Sequence, residues 1–551
     1  MKHLPFIILL IVLTIYLGLK TLPENGWGGW LAGDGDANTL LSLKYWAMDG
    51  IIHHKLLFIP IGYSKITEYL DYPEMRHLTK GTVTGGLVGR RLYYTHYPSG
   101  YLLPYAWLMK IGVIDRYWLR LFSLLLSFLA LTLFYWFFNL ISKNSLISFL
   151  AVLYYAISTM FLDYADAITS QPLDDLFRVI ILVVGLLAIC RYSHLNNFKN
   201  YKFYNILIWL LYFLFSFSSY DFTLFVFVWL IGLEIIQFIV NNYQSQISVI
   251  EKLKLFSWKK IIFFASAPIL AFVLQLLQNY WYFGNWHEVW LDMMGAAAAK
   301  AYTGNGFVHF LNIFYPFSLM TGLEIFWAAF FVFVLFIILW KLRYLENATS
   351  ILIVLFLAGA IYPFLMVSAG RFSYQGRQMM PLISFLVGTA TFFVIRVFKD
   401  KMFCKGINIV LCGFLIISVS FLWGSQIYRT VQYIYDWPNN KADNNVIQLG
   451  KYLKLIKNGD SAVFYQGSKL PVSFVTEYYF DMPLFSFDKG ENLIKDFLWL
   501  RNNSKYPFEA IIITDREEIN NRIRKLLSEQ KIDKIGDNQI IQGEYVFKIV
   551  P

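Results

Sequence analysis

Cysteine is nearly missing from this chain: its 551 residues hold three, Cys190, Cys404 and Cys412, each in or beside a hydrophobic run. They give no disulfide framework and no cysteine-based metal spacing. Charge is scarce as well, at 15% of residues. No internal repeat occurs, and the polar C-terminal part has no glycine-rich phosphate loop. What the chain does have is apolar bulk, 57% hydrophobic and 19% aromatic. That is too apolar and too long for one soluble core. Runs of about 20 apolar residues are long enough to cross ~30 Å of hydrocarbon as helix. The net charge of +11 invites a nucleic-acid partner. The positive-inside rule, which gathers Lys and Arg in cytoplasmic loops, accounts for it better, and no nucleic acid is expected.

Hydrophobic runs predict a first helix over 4–20 and further spans near 118–138, 146–162, 172–190, 204–218, 222–241, 260–280, 316–340, 349–368, 378–396 and 406–424. No small-residue cleavage site follows Leu19, so residues 1–20 read as a retained helix rather than a signal peptide. Segment 101–113 would make a helix only ~18 Å long, which suits an interfacial or re-entrant piece. Charge tests that choice. With eleven crossings and a cytoplasmic N-terminus, the inside loops collect fifteen Lys and Arg residues, while the short outside loops hold Lys300, Arg371 and Arg377. Counting 101–113 as a span would invert the ratio. The expectation is a mostly α, polytopic helical protein of the cytoplasmic membrane, in contact with membrane lipids. Its large first loop, 21–117, and its C-terminus lie outside the cytoplasm.

Composition changes near 425, which divides the chain into a membrane domain over 1–424 and a small soluble α/β domain over 425–551. Strand-like runs cover Ser461–Tyr465, Ala510–Thr514 and Glu544–Val550, and helical patterns cover 491–503 and 516–529. A binding or stabilising lid is the plainest use for this domain.

The long polar loop after the first helix is the feature that points to chemistry. Near its start stands Gly33-Asp34-Gly35-Asp36-Ala37-Asn38. Asp36 makes a good N-cap for a helix over 37–49 closed by Gly50. A carboxylate beside glycines also has the reach to deprotonate an acceptor hydroxyl, or to hold a divalent cation together with Asp34. Further on comes Tyr93-Tyr94-Thr95-His96-Tyr97-Pro98-Ser99-Gly100. These tyrosines read as an interface belt, or as aromatic faces that stack on a sugar beside His96. His53, His54 and the run 80–91 read as solvated loop.

A first helix, an acidic motif opening an extracytoplasmic loop, a His-Pro-type motif before a short helix, and then Leu119-Arg120-Leu121 resemble the GT-C membrane glycosyltransferases. The branch most similar is that of the protein O-mannosyltransferases and the aminoarabinose transferases of lipid A. The resemblance covers roughly residues 1–400 in layout. Asp36-Ala37 stands where the family commonly has Asp-Glu, and His96-Tyr97-Pro98 where many members have His-Pro-Pro. The resemblance implies a sugar donor on a polyprenyl phosphate, an inverting transfer, and Asp36 or Asp34 acting on the acceptor nucleophile. Of the two, Asp36 is favoured. Asp174 or Asp175 matches an aspartate at the head of a helix in relatives, within an acidic group that also holds Asp163 and Asp166.

A phosphate leaving group needs cationic donors. Arg371-Phe372-Ser373-Tyr374-Gln375-Gly376-Arg377 lies in an outside loop, where the positive-inside rule disfavours arginine. The planar guanidinium fork suits phosphate, so Arg371 and Arg377 are donor-site candidates with Tyr374, and Arg120 is a weaker one. Headgroup anchoring is the plain alternative for all of them. Trp281 to Glu288 reads first as an aromatic belt, and its Trp286 joins Tyr94, Tyr97 and His96 as an acceptor or sugar contact. The sequence leaves a lipid, a glycan or a protein hydroxyl open as acceptor, and no cofactor beyond the divalent cation is called for. Two rival functions remain: an oligosaccharide ligase or polymerase using a pyrophosphate carrier, and a lipid or glycan transporter. A transporter should depend on charges at mid-membrane, where Asp221, Glu234 and Glu324 are the main exceptions.

Overall fold

A computed structural model describes residues 3–22, 33–59, 93, 95, 97–190, 198–242, 258–300, 306–345, 348–366, 373–399, 409–436, 444–457, 460–468, 474–487, 489–503, 507–530, 532, 536 and 539–549. Helix dominates it, because apolar backbone out of water must satisfy its own N–H and C=O groups. The first helix, α1 (Leu4–Thr21), is followed by α2 (Gly33–Asp49) and the short α3 (Leu102–Lys110). Next come α4 (Arg116–Ser142), α5 (Ser145–Ala156), α6 (Thr159–Tyr164), α7 (Ser170–Cys190), α8 (Phe198–Ser218) and α9 (Thr223–Asn242). The series continues with α10 (Trp258–Phe283), α11 (Trp286–Lys300), α12 (Gly306–Asn312), α13 (Tyr315–Thr321), α14 (Ile325–Lys341) and α15 (Thr349–Leu365). A 3-10 turn over Ser373–Gln378 leads into α16 (Met380–Lys399) and α17 (Ile409–Asp436).

In their described residues the eleven apolar segments are helical, with 146–162 and 316–340 each broken into two helices. Among the described residues five helices can cross a membrane by length and composition, namely α1, α4, α10, the Met380–Phe398 part of α16, and α17; a sixth crossing comes from Val308–Thr321 with Ile325–Lys341 if that pair, bent by 84°, is one span. The molecule is a multi-pass membrane protein. Segment 101–113 forms only the nine-residue α3, about 14 Å of helix and far short of a crossing. The boundary expected at 424 falls inside α17, which runs on to Asp436. Glu324 sits at the bend between α13 and α14, immediately before α14.

Beyond α17 lie α18 (Asn444–Ile456), β1 (Ser461–Gln466), α19 (Phe474–Phe480), β2 (Leu484–Ser486), α20 (Gly490–Asn503), β3 (Glu509–Thr514), α21 (Glu517–Glu529), β4 (Gln539–Ile541) and β5 (Glu544–Ile549). They build one sheet of order β2-β1-β3-β5-β4, with β2, β1 and β3 parallel and β5 antiparallel to both β3 and β4. Its central strand β3 is buried along its whole length, as a strand covered on both faces must be.

One apolar cluster fills the helical bundle. A second joins α2 and α3 to one face of the sheet, so these two helices of the first loop lie between the bundle and the C-terminal domain. Lys44 of α2 pairs with Asp481, just after α19, and ties the same layers at their edge.

Candidate functional site

Helix α2 begins at Gly33 rather than at 37, so Asp36 is not its N-cap but sits inside the first turns. The Asp36 side chain is fully buried, and its Oδ1 accepts the backbone N–H of Ile168 at 2.6 Å. Gly35 makes that approach feasible: a Cβ there would stand 2.8 Å from the Thr169 methyl. The first acidic motif is therefore pressed onto the turn between α6 and α7, which carries the second acidic group. Asp34 starts α2 as well, but its side chain lies outside the described residues, as do Tyr94, His96, Arg371 and the run 80–91.

That turn supplies two charge clusters. In the first, Asp166 receives Lys20 Nζ at 2.9 Å and the guanidinium of Arg120, all three being buried. Burial alone would lift the Asp166 carboxyl, yet Arg120 and Lys20 hold it below the usual carboxylate range. Arg120, a phosphate candidate by sequence, is thus engaged in joining α4 to α1 and the turn.

The second cluster surrounds Asp175. Its carboxylate accepts from Arg178 at 2.6 Å, from Arg377 at 2.7 Å and from the Tyr155 hydroxyl at 2.7 Å. Arg178 also donates to the Arg377 carbonyl at 2.6 Å and lies over the Phe222 ring, 4.3 Å from its centroid. Arg377 donates through Nη2 to the Gln171 carbonyl at 2.6 Å. Its Nη1 and Nε are buried without a hydrogen-bond partner among the described residues. Burial works against the Arg377 charge, but Asp175 outweighs it and keeps the guanidinium protonated.

Tyr97 closes the chamber from the first loop. Its hydroxyl donates to Asp221 at 3.0 Å and lies 2.6 Å from Ser219 and 3.3 Å from Ser170. Asp174 faces the same space. It is fully buried, with the hydroxyls of Ser170 and Ser219 turned toward it, and among the described residues neither of its oxygens has a partner of good hydrogen-bond geometry. Burial, with Asp221 nearby, lifts the phenols of Tyr97 and Tyr374 well above their ordinary value, so both are donors. Tyr105, on α3, is fully buried nearby, its hydroxyl 2.8 Å from that of Ser123; burial above all, with Asp36 and Asp174 adding to it, raises its phenol above the ordinary value.

The structure thus brings together Asp36 of α2, Tyr97 of the first loop, Asp174 of α7, and Tyr374 and Arg377 of the 3-10 turn, five residues from four separate elements. Trp286 is not among them: it is exposed and stacks on Tyr280, with ring centroids 4.7 Å apart. Among the described residues no group of three His, Cys, Asp or Glu side chains is arranged to hold a metal. His54, read as solvated, is buried between Asp49 at 3.2 Å and the Tyr93 hydroxyl at 3.1 Å. Sequence reading missed Lys20, Arg178 and Tyr105 as parts of the site. The available signal for Arg178 was a lone arginine inside an apolar helix, one turn past two aspartates.

No protein-family model and no curated protein matches the chain. Solved structures do. ArnT from Cupriavidus metallidurans in the apo state aligns with a TM-score of 0.55 at 10% identity, covering 100% of this chain and 99% of that one. The Archaeoglobus fulgidus oligosaccharyltransferase in the apo form aligns with a TM-score of 0.50 at 12% identity, covering 93% of this chain and 69% of that one. The same transferase tethered to an acceptor peptide gives a TM-score of 0.50 at 11% identity, covering 93% and 69%. At such identities the likeness is one of fold. This chain shares its fold with ArnT along its whole length.

Proposed function

We propose that the chain is an integral-membrane glycosyltransferase. It moves a sugar from a polyprenyl-phosphate donor to a hydroxyl of a lipid, glycan or protein acceptor. The observation that carries this reading is the state of Arg377. A buried guanidinium with two unmet donors is costly unless something supplies acceptors, and a phosphate oxygen pair matches its fork. Arg178 and Asp175 fix its orientation, and Tyr374 adds a phenolic donor beside it.

An apolar groove begins within two turns of Arg377 along α16. Leu382 and Leu386 line it together with Phe317, Phe333, Phe336 and Phe356. Such a lining suits an isoprenoid chain that stays in hydrocarbon while its phosphosugar head enters the polar chamber.

In the proposed reaction the acceptor oxygen attacks the anomeric carbon and the carbon–oxygen bond to the phosphate breaks. The phosphate leaves with that bond's electron pair toward Arg377, and the anomeric centre inverts. Asp36 takes the acceptor proton, its carboxylate aimed by the Ile168 N–H. Asp174 assists as the second carboxylate, while Tyr97, with its neighbours Tyr94 and His96, contacts sugar or acceptor. The same reading has eleven crossings, with the first loop and the sheet domain on the outer side of the cytoplasmic membrane. A divalent cation, if used, would draw on Asp34 and Asp36.

The test is transfer from a short-chain polyprenyl-phosphate sugar by purified protein carrying Asp36→Asn. Removing a general base lowers the rate by about 10²–10⁴-fold, with donor binding nearly unchanged. Full activity in Asp36→Asn would remove the base assignment.

A further inference from the structure

We propose that α11 is a lipid-seated foot. One face rests in the bilayer interface, and the opposite face holds the first-loop segment that carries Tyr97. The local sequence makes such a helix. Span α10 ends at Phe283, Gly284 turns the chain with a left-handed φ of +77°, and Asn285 accepts the Glu288 N–H at 2.8 Å as an N-terminal cap. The chain therefore passes from a membrane span into a new helix within three residues.

The two faces of α11 differ sharply. Val289 and Asp292 are buried, while Trp286, Trp290, Leu291 and Met294 are 53%, 65%, 51% and 50% exposed. At 100° per residue Trp286, Trp290 and Met294 form one stripe with Leu291 beside it, and only His287 adds polarity to that arc. The stripe continues a surface that already faces lipid: Trp286 stacks on Tyr280 of α10, next to exposed Leu277 and Trp281. Indoles at the end of a span, on an amphipathic helix that follows directly, are the chemistry of the headgroup boundary. The occupant is thus outer-surface phospholipid.

The buried face has a definite load. Asp292 accepts the Thr95 hydroxyl at 2.6 Å. Gln275 and Asn279 of α10 donate to the Thr95 carbonyl at 3.2 and 3.1 Å. Two residues later Tyr97 reaches Ser219 and Asp221 in the chamber. Seating α11 on lipid therefore fixes where Thr95 to Tyr97 lie. This coupling rests on the proposed function; the seating does not.

The experiment uses full-length protein in phosphatidylethanolamine/phosphatidylglycerol nanodiscs. A bimane label is placed at Trp290→Cys, and separately at Leu291→Cys, in a background with Cys190, Cys404 and Cys412 changed to Ser. A nitroxide lipid labelled high on its acyl chain should quench both labels several-fold more than aqueous iodide does. Iodide dominance, or weak quenching by both agents because protein covers the face, would overturn the seating. With Trp286→Asp and Trp290→Asp present, the Leu291→Cys label should move to iodide control and the KM for acceptor should rise several-fold, as in Asp292→Ala. An unchanged KM in a displaced helix would overturn the coupling. Absence of any transfer by the parent protein would count against the proposed function alone, since the quenching needs no sugar.

Discussion

Asp166 sits at the balance point of the buried charges, and its neighbours set unequal costs for losing each partner. Asp166→Asn removes the buried carboxylate that Lys20 and Arg120 share, so it should destabilise by roughly 3–5 kcal/mol. Lys20→Met leaves Asp166 still paired with Arg120 and should cost clearly less. Thermal unfolding in one detergent ranks the two, and the reverse order would refute this account of the triad. His54 gives a pH test. Burial holds its imidazole below its ordinary range, although the bond to Asp49 pulls the other way. The unfolded chain then binds the proton more readily, so stability is present above the unfolded value and is lost as pH falls through it. Between about pH 7 and 5 the native protein should lose unfolding temperature faster than His54→Gln; parallel slopes would contradict the linkage. Much at this scale was legible. Asp36, Asp174 and Arg377 stood out because carboxylates at the expected membrane ends and an arginine in an expected outside loop break compositional rules. Lys20 and Arg178 stayed hidden because their meaning comes from partners more than 100 residues away, Asp166 and Arg377.

Elements with strong periodicity were read correctly, and short ones were not. The α20 and α21 helices and the β1, β3 and β5 strands all lie where alternation and three-to-four spacing predicted them. Strands β2 and β4 have three residues each, too few to display a period. The error at α2 had a physical cause. Capping rules favour an aspartate at the N-terminus, but contact with the turn at Ile168 and Thr169 lets the helix start at Gly33 and draws Asp36 inward. That contact can be tested. Gly35→Ala gains about 1 kcal/mol of helix propensity but forces a methyl group against Thr169, and overpacking costs about 1–3 kcal/mol. Transfer should fall in Gly35→Ala and recover when Thr169→Ser removes the opposing methyl. Failure of that rescue would mean α2 is not held by this approach.

For the whole molecule, the placement of charge separates the readings. Lys20, Arg120, Asp166, Asp175 and Arg377 cluster where α1 ends and where α4, α7 and α16 begin, beneath the first loop. Glu234 and Lys260 pair at 3.0 Å away from that chamber, between α9 and α10. A transferase should tolerate Glu234→Gln, whereas a transporter driven by that pair should lose function. The helical membrane architecture was legible because hydrocarbon leaves the backbone few choices. Sugar and acceptor were not, since stacking tyrosines and a carboxylate suit many hydroxyl compounds. The most direct measurement is native mass spectrometry of the purified protein with a polyprenyl phosphate, comparing the parent with Arg377→Lys. The account predicts a bound adduct in the parent and at least a tenfold loss of affinity in the variant, which keeps the charge but lacks the planar fork. An adduct of equal strength in both would move the phosphate away from Arg377, and no adduct in either would contradict the polyprenyl-phosphate transferase itself.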